Sequence, residues 1–557
     1  MAAEVVISNG VIVDGSGTAP VTGDVGISGG RITEIAAHVE GERRIDAAGR
    51  LVTPGFIDIH THYDPQVLWD PALTPSSWHG VTSVVAGNCG YSLAPTHVGD
   101  RGTILRTLDK VEDMRLSTLE AGVRWDFETY PEYLDAVARR GIAINFGGYV
   151  GHTAVRVYVM GDDAYEREAT PEEVARMREV VRQSILGGSL GFSSDRAGFH
   201  LGDGGRPVPS IVASQAETEA LIGVIGELGQ GIVHVAPGER YGWICDLAPS
   251  LGHTVTWSAI LTFPDGTASH SPYQDKLDRL DAARQAGGDL WAQVTCRPIV
   301  QSVWSGEPTA MYVVPAFGDL VAAPLAERPK VYADRAWRAK VWEQIDSGAY
   351  VNPRWETFFV SESPNQPDLI GRSVRSIADE RGCTPFDVMC DLSLADDLAT
   401  RFQVTFANDE EDGVTRLIRN SGCIMGLSDA GAHVGAICDA VMPTDFLAGW
   451  VRDRGVLPVE QGIRKLTGEL ADVLHLDRGY LRPGMPADIL VLDLDRLAPG
   501  PIRRVQDMPA GGDRLVGDRP TGVDWVLVNG VAIREEGTPA LDRLDRLPGT
   551  ILRSRPA

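Results

Sequence analysis

The sequence predicts an α/β protein: a (β/α)8 barrel of the TIM type, with a small β-sandwich domain built from both ends of the chain. Strand and helix patterns alternate through the middle of the chain, as they do in folds with a parallel sheet. Short β patterns separated by turn signals occupy both ends. The polar residues that suggest chemistry follow predicted barrel strands, and such barrels carry their active sites at that edge.

Both ends of the chain have the character of short, turn-linked strands. Apolar runs flank Asn9-Gly10, a dipeptide typical of a hairpin turn, and a second hairpin pattern is centred on Gly29-Gly30. A third turn signal, Asn529-Gly530, interrupts the β run 523–531. We expect residues 1–54 and residues 483–557 to pair as the two parts of one sandwich.

Eight candidate strands lie between these ends, so residues 55–482 are assigned to the barrel. The strands are residues 52–59, 81–88, 142–147, 189–193, 231–234, 254–258, 290–295 and 424–428. The segments between them show helical spacing, and one opens with Thr170-Pro171, an N-cap followed by proline at the first helical position. Two connections are long, residues 90–125 and an insertion at about 296–400. Such loops form lids or binding walls, or else a subdomain that only packs.

Composition excludes several classes of partner. The 557 residues are 43% apolar and 23% charged, which is the globular range. A formal net charge of −25 argues against nucleic acid and against anionic membranes, because phosphate repels such a surface. No apolar run reaches the ~18 residues of a membrane span, and no signal peptide is seen. We expect a small-molecule substrate, with a homo-oligomer left open.

Cysteine usage bears on the compartment. The seven cysteines are scattered, and none forms a Cys-x-x-Cys pair. This pattern is typical of free thiols in a reducing compartment and not of a disulfide framework. We therefore expect a cytoplasmic protein.

The strongest chemical signal is the stretch 54–62, an apolar strand that ends in two histidines two residues apart. Side chains alternate along a strand, so His60 and His62 point the same way, with Asp58 one pair back. Two such imidazoles can bind one divalent metal, with Zn–N distances of ~2.0–2.1 Å. Taken alone, the pair could equally be two polar residues at a sheet edge.

Three later residues support a metal site, since each lies at the end of its own predicted strand. Cys89 lies in a Gly-rich turn where a thiolate can approach a metal closely, although a lone buried cysteine is more often inert. His234 could be a third imidazole ligand or a polar strand-end residue. Asp429 could cap the next helix and also act as general base. A metal lowers the pKa of its bound water toward ~7. A nearby carboxylate can take the proton of that water and pass it to a leaving amine.

Weaker candidates for holding the substrate are His152, Arg297 and His433. Each could polarise a carbonyl or hold a polar group of the substrate. For either histidine, a loop residue whose hydrogen bonds are satisfied by the protein itself is the favoured interpretation.

Assembled, these motifs resemble the amidohydrolase superfamily and, more narrowly, the N-acyl-D-amino-acid deacylase (D-aminoacylase) group. The resemblance is carried by residues 54–64, Gly87-Asn88-Cys89-Gly90, residues 151–156, Asp429 and residues 484–488. It implies a metal-dependent hydrolase of the amide C–N bond of an N-acyl amino acid or a similar N-acyl compound. It also implies one or two zinc ions: His60, His62 and Asp429 bind at one site, Cys89 and two further histidines at the other, and Asp429 is the base.

The chain departs from that pattern at three places. Strand six reads Thr254 to Ile260 and lacks the family's Ser-His and the lysine after it, and Trp257 there suggests a more apolar pocket. No arginine follows Asp429 at the expected place, and strand seven ends in Cys296-Arg297-Pro298 in place of an aromatic-rich turn. These departures leave open a metal site with a single ion and a substrate other than an N-acyl-D-amino acid.

Alternatives on the same scaffold stay open. A cyclic-amide hydrolase of the hydantoinase type would be expected to use a carboxylated lysine on strand four, and residues 189–193 contain no lysine. An ester or lactone hydrolase would use the same water. A non-catalytic scaffold protein is the remaining class, and the histidines and Asp429 argue against it.

Overall fold

A computed structural model describes residues 2–198, 200–263, 271–308, 311, 314–348 and 353–555. The chain divides into two compact units. The larger contains the residues up to Thr262, Ser271–Arg297 and those from Glu411 onward, and the smaller is built mainly from Pro298–Glu410. Among the described residues, no helix is both long and apolar enough to cross a bilayer.

The strands are numbered along the chain. They are β1 (Ala3–Ile12), β2 (Val21–Ser28), β3 (Arg31–Ala36), β4 (Gly41–Asp46), β5 (Leu51–Pro54), β6 (Phe56–Asp58), β7 (Val81–Ala86), β8 (Asn145–Gly151), β9 (Gly191–Asp195), β10 (Ile232–Ala236), β11 (Val255–Ser258), β12 (Leu290–Val294), β13 (Ile299–Trp304), β14 (Phe358–Glu362), β15 (Arg401–Ala407), β16 (Cys423–Met425), β17 (Ile489–Leu492), β18 (Ile502–Met508), β19 (Gly512–Gly517), β20 (Val523–Val528), β21 (Val531–Glu535) and β22 (Thr538–Pro539).

The α-helices are numbered in the same way. They are α1 (Arg101–Val111), α2 (Leu116–Gly122), α3 (Tyr130–Arg140), α4 (His152–Met160), α5 (Pro171–Leu186), α6 (Pro209–Val212), α7 (Gln215–Leu228), α8 (Tyr241–Leu247), α9 (Tyr273–Gln285), α10 (Gly318–Ala322), α11 (Arg328–Ala333), α12 (Arg335–Asp346), α13 (Val374–Arg381), α14 (Pro385–Ala395), α15 (Glu411–Arg419), α16 (Met442–Asp445), α17 (Val459–Leu466) and α18 (Gly468–Val473). A π-helix, Phe446–Asp453, follows α16.

The barrel is formed by eight parallel strands in the order β6-β7-β8-β9-β10-β11-β12-β16. The two outer strands meet just beyond their ends, where Thr61 forms a parallel bridge with Ala430 and the amide of His62 donates to the Ala430 carbonyl at 2.8 Å. The Ser428 hydroxyl adds a 2.7 Å hydrogen bond to Asp58 across the same seam. Each of the eight predicted strands is present, and the predicted fold class is confirmed.

Alternation along the barrel strands separates two layers of apolar side chains. Val84, Phe146 and Phe192 belong to the large cluster packed under the helices, whereas Val85 and Tyr149 belong to a second cluster with strand neighbours. All of these side chains are fully buried. Burial of one such side chain contributes roughly 1.5–3 kcal/mol, so the strands hold the loops at their carboxyl ends on a rigid base.

The two ends of the chain combine in one nine-stranded sheet, as the sequence predicts. Within it, β17 lies between β5 and β20, with Val491 opposite Val52. The hairpins β2–β3 and β20–β21 are confirmed. The predicted hairpin at Asn9-Gly10 is wrong: β1 continues through this dipeptide, and its pairing with β2 changes register there. Asn9 has the positive φ of a turn, 56°, but uses it in a bulge.

The smaller unit has its own antiparallel sheet, β13-β15-β14, and its own core. Trp337, Phe317 and Phe386 meet there at ring-centre distances of 5.5–5.9 Å. The unit extends to Glu410 and not to residue 400, because β15 pairs with β13. A role of this insertion as lid or wall stays a prediction.

Candidate metal centre

Five polar side chains meet at the carboxyl end of the barrel. His60 and His62 lie just beyond β6, Cys89 follows β7, and His234 lies within β10. Asp429 follows β16. Two groups of possible metal donors result, and in each group the ligand atoms lie within 4.8 Å of one another.

The first group is His60, His62 and Asp429. The Asp429 Oδ1 atom lies 3.1 Å from Nε2 of His60 and 3.6 Å from Nε2 of His62. Donors bound at ~2.0–2.1 Å to one tetrahedral ion lie roughly 3.3 Å apart, so these separations suit a shared ion. Both imidazoles are buried, while the carboxylate is 28% exposed and can be reached from solvent.

The second group is His60, Cys89 and His234. The Cys89 sulfur lies 3.4 Å from Nε2 of His60, which is the same atom that faces Asp429. The Ser258 hydroxyl lies 3.4 Å from Nε2 of His234 and 4.0 Å from the Cys89 sulfur. The two groups therefore share one nitrogen, and a neutral hydroxyl stands beside the second group.

The backbone is unusual at both loops that present these donors. Cys89 and Asp429 have φ values of 52° and 47°, a left-handed conformation that costs energy for a residue with a side chain. Gly431 has φ 89°, and a Cβ atom there would come within 2.9 Å of the His62 backbone. Such strain is typical of functional sites, where surrounding structure holds a side chain in a required direction.

The donors shift one another's pKa values. Burial opposes the charge on each group, but the Cys89 and Asp429 charges outweigh it at His60 and raise the pKa of that imidazole to about 10. Burial would likewise raise the pKa of the Cys89 thiol, yet His60 and its neighbours hold it well below the ordinary value. The pKa of Asp429 is also held well below its ordinary value by His60 and His62, despite burial. The centre thus favours two anionic ligands beside imidazoles.

Comparison with known proteins agrees with this geometry. The model of the amidohydrolase family matches residues 43–533, which is most of the chain.

The chain belongs to the amidohydrolase family.

Its relatives in that family include D-aminoacylase of Alcaligenes xylosoxydans xylosoxydans, 27% identical over 96% of this chain and 95% of the relative. The N-acyl-D-glutamate deacylase of the same organism is 28% identical, over 99% of this chain and 96% of the relative. A solved N-acyl-D-glutamate deacylase from Bordetella bronchiseptica, complexed with zinc and a phosphonate inhibitor, has the same fold, with a TM-score of 0.69 and 24% identity over 99% of this chain and 100% of that chain. The resemblance seen in the sequence is confirmed.

Outer partners of this amidohydrolase centre were not found from the sequence. The carboxamide of Gln293, on β12, lies between His60 and His234. Glu112, from the long connection after β7, lies 3.0 Å from Nδ1 of His62, at ion-pair distance but outside hydrogen-bond alignment. A single Gln on a strand and a single Glu in a loop carry no motif, so only the folded arrangement reveals them.

Both ring nitrogens of His152 are engaged by other side chains. It is fully buried at the start of α4, and its ring nitrogens contact Ser194 at 2.9 Å and Glu217 at 3.0 Å. Glu217 also accepts from Arg156. This arrangement favours a packing role for His152, and its contact with substrate stays a prediction.

Arg297 and His433 have different surroundings. The Arg297 guanidinium bonds Asp439 at 2.7 Å and Asp445 at 2.5 Å, so two carboxylates already neutralise it. His433 is half-buried, four residues beyond Asp429, and its side chain makes no hydrogen bond to the residues that the structure describes. Of these two predicted substrate residues, His433 is the one left available.

Trp257 lies on the opposite face of β11 from the donors. Its indole stacks on Tyr241 of α8 at 6.1 Å, while the adjacent Thr256 and Ser258 face His234. Alternation along the strand explains this, because Thr256 is the register partner of His234. The expectation that Trp257 makes the pocket apolar is therefore not supported.

Proposed function

We propose that the protein is a zinc-dependent hydrolase that cleaves the amide C–N bond of an N-acyl amino acid. The observation that carries the proposal is the first donor group, in which two imidazoles and one partly exposed carboxylate converge at the carboxyl end of the barrel. The deacylase names of its full-length relatives point to N-acyl-D-amino acids as the first substrates to test.

The donor set fits zinc. Imidazole nitrogen, thiolate and carboxylate are its usual ligands in proteins, and catalytic sites keep a position open for water or substrate. His60, His62 and Asp429 would hold the ion, with Cys89 and His234 as further donors. When bound, zinc polarises a carbonyl group and lowers the pKa of water toward ~7.

Asp429 is the proposed base. His60 and His62 keep its carboxylate ionised against the effect of burial, so at neutral pH it carries no proton and has an oxygen free to accept one. It takes that proton from the attacking water as the new C–O bond forms. It then returns the proton to the nitrogen when the C–N bond breaks, and a carboxylic acid and an amine leave.

His433 is the proposed contact for a polar group of the substrate, since it follows Asp429 by four residues in the same loop and is half-buried. We also propose a cytoplasmic location. Its support is that all seven cysteines are free thiols, which suits a reducing compartment.

The test combines metal content with activity. We expect at least one zinc per chain after zinc loading, and release of the amino acid from N-acetyl-D-glutamate or N-acetyl-D-leucine above the L-enantiomers. Asp429→Asn should lower kcat by about 10²–10⁴, the contribution of a positioned base. Zinc content of this variant must be measured in parallel, because Asp429 is also a proposed ligand.

Asp46→Asn, an exposed change on the terminal sheet, serves as the control and should keep wild-type activity. A wild-type protein that takes up no zinc, or an Asp429→Asn variant that holds zinc and hydrolyses at the wild-type rate, would refute the proposed mechanism.

A further inference from the structure

The carboxamide of Gln293 joins two of the proposed zinc ligands. This side chain is fully buried on β12. Its Oε1 lies 2.5 Å from Nδ1 of His60, and its Nε2 lies 3.3 Å from Nδ1 of His234 and 3.4 Å from the Thr256 hydroxyl. The register explains the contact, because Gln293 is the neighbour of Ser258 and Thr256 is the neighbour of His234 across parallel strands.

The hydrogen-bond chemistry of Gln293 decides which nitrogen of His60 is left for a metal. An amide oxygen only accepts, so Nδ1 of His60 must donate to Gln293, and Nε2 is the nitrogen that can give up its proton to a metal ion. The Nδ1 atom of His234 lies 3.1 Å from the Thr256 hydroxyl and 3.3 Å from the Gln293 NH₂ group, which also donates to that hydroxyl oxygen at 3.4 Å. Thr256 passes its own proton toward the Val233 carbonyl at 3.5 Å.

In both imidazoles Nδ1 is engaged by these outer partners, and Nε2 faces the interior of the site. For His60 this is the atom 3.1 Å from Asp429 and 3.4 Å from the Cys89 sulfur, and for His234 it is the atom beside Ser258. With Nδ1 of His60 engaged, a single nitrogen must serve both donor groups. The orientation of the Gln293 carboxamide thus determines how His60, the ligand shared by the two donor groups, faces the site.

We infer that Gln293 is the positioning residue of this centre: it sets the tautomer and ring orientation of His60, and it holds the ring orientation of His234 both directly and through Thr256. The inference rests on the proposed metal centre but not on the identity of the substrate. Outer hydrogen bonds of this kind tune metal affinity because they orient the ligand and fix its lone pair.

Gln293 differs in charge from the corresponding partner of the neighbouring ligand. His62 has the carboxylate of Glu112 near its Nδ1, whereas His60 has a neutral amide. A carboxylate partner makes an imidazole a stronger ligand than an amide does. A glutamate at position 293 would keep an oxygen acceptor for His60 Nδ1 and add a negative charge. Comparing Gln293→Glu with a variant that lacks the acceptor therefore shows whether the hydrogen bond that orients His60 is what matters.

The test is zinc affinity of the full-length protein, measured by competition with a chromophoric chelator. Gln293→Leu should weaken zinc binding by roughly 10- to 100-fold, the usual effect of losing an outer partner. Gln293→Glu should bind zinc at least as tightly as the wild type. The visible spectrum of the Co²⁺-loaded protein should change in Gln293→Leu and not in Gln293→Glu, which a packing role alone would not predict.

A matched control is Asn145→Leu. Asn145 is also a fully buried amide on a barrel strand, but it lies at the start of β8 and its partners are Thr82 and Asp488. The control should lose stability while its zinc affinity stays at the wild-type value. If Gln293→Leu does not fold, Thr256→Val removes the hydroxyl that contacts both His234 and Gln293, and a folded Thr256→Val should still bind zinc more weakly.

Wild-type zinc affinity in a folded Gln293→Leu, or in a folded Thr256→Val where the former cannot be made, overturns the inference. So does an equal loss of affinity in Asn145→Leu, because the effect would then be general. A protein that binds zinc and depends on Gln293 but hydrolyses no N-acyl amino acid would overturn the proposed substrate and leave this inference standing.

Discussion

Two buried polar clusters lie at opposite ends of the same barrel strands, and they are built on different rules. The metal centre at the carboxyl ends gathers His60, His62, Cys89, His234 and Asp429. The amino-end cluster consists of Asn145, Arg478, Asp488 and Asn529. There the Asp488 carboxylate accepts from Arg478 at 2.5 Å, from the Asn145 amide at 3.0 Å and from the Asn529 backbone at 2.7 Å.

The difference lies in what balances each anion. In the amino-end cluster a permanent cation and two N–H groups surround one carboxylate, so the cluster is complete within the protein. In the candidate metal centre the thiolate and the carboxylate face imidazoles, which, unlike a guanidinium, can lose a proton and offer Nε2 to a metal ion. A closed network stabilises a fold, whereas converging ligand atoms prepare a site for a cation.

The largest expected effect comes from His60→Ala, because His60 belongs to both donor groups. We expect zinc affinity to fall by more than the roughly 10- to 100-fold caused by losing an outer partner. Competition with a chelator measures this loss, and circular dichroism checks the fold. Retention of wild-type zinc affinity would contradict both donor groups at once.

The amino-end cluster should respond in the opposite way. Asp488→Asn removes the buried carboxylate partner of Arg478 and leaves only the more exposed Asp477 at 3.6 Å. Breaking a buried pair typically costs about 3–5 kcal/mol of the free energy of unfolding. Zinc affinity should stay unchanged. Urea unfolding and the chelator assay on the same preparation measure the two effects. Loss of zinc binding without loss of stability would contradict a purely structural role for the amino-end cluster.

A third buried cluster, His152, Arg156 and Glu217, sharpens the comparison through its dependence on pH. Burial raises the pKa of Glu217, but His152 and Arg156 outweigh it and bring the pKa down to about 2. A lowered carboxyl pKa contributes stability that is complete above the ordinary value near 4.5 and is lost as pH falls toward 2. The shift corresponds to about 3 kcal/mol.

Glu217→Gln should therefore lower the free energy of unfolding at pH 7 by about 3–5 kcal/mol, because Arg156 loses its buried partner. Its stability should also fall less steeply than that of the wild type between pH 4.5 and 2. Denaturant unfolding at several pH values tests both points. KM should not change; a raised KM would instead support the predicted contact between His152 and substrate.

The fold was largely predictable because its signals are local. Alternating strand and helix patterns gave all eight barrel strands, and Gly29-Gly30 and Asn529-Gly530 marked true hairpins. Asn9-Gly10 misled because a bulge and a hairpin turn need the same positive φ. Which one forms depends on pairing with distant strands, and β1 pairs with β2, β4 and β5 on both sides of this dipeptide.

The candidate site was predictable only as far as its motifs reach. His60 and His62 could be recognised from their spacing, and Asp429 and His234 from their positions at the ends of predicted strands. Gln293 has meaning only through the lateral register of β10, β11 and β12, which the linear sequence does not specify. The same register turns Trp257 away from the donors, so knowledge of strand alignment would have found one residue and excluded the other.

The pairing of β17 with β5 has a consequence during translation. These two strands are several hundred residues apart in the chain, and Val52 and Val491 share one apolar cluster. At ~5–20 residues per second, the ribosome needs roughly 20–90 s to make β17 after β5 emerges. During that interval the early strands expose the apolar face that β17 will cover. We therefore expect ribosome-associated chaperones to bind this part of the nascent chain.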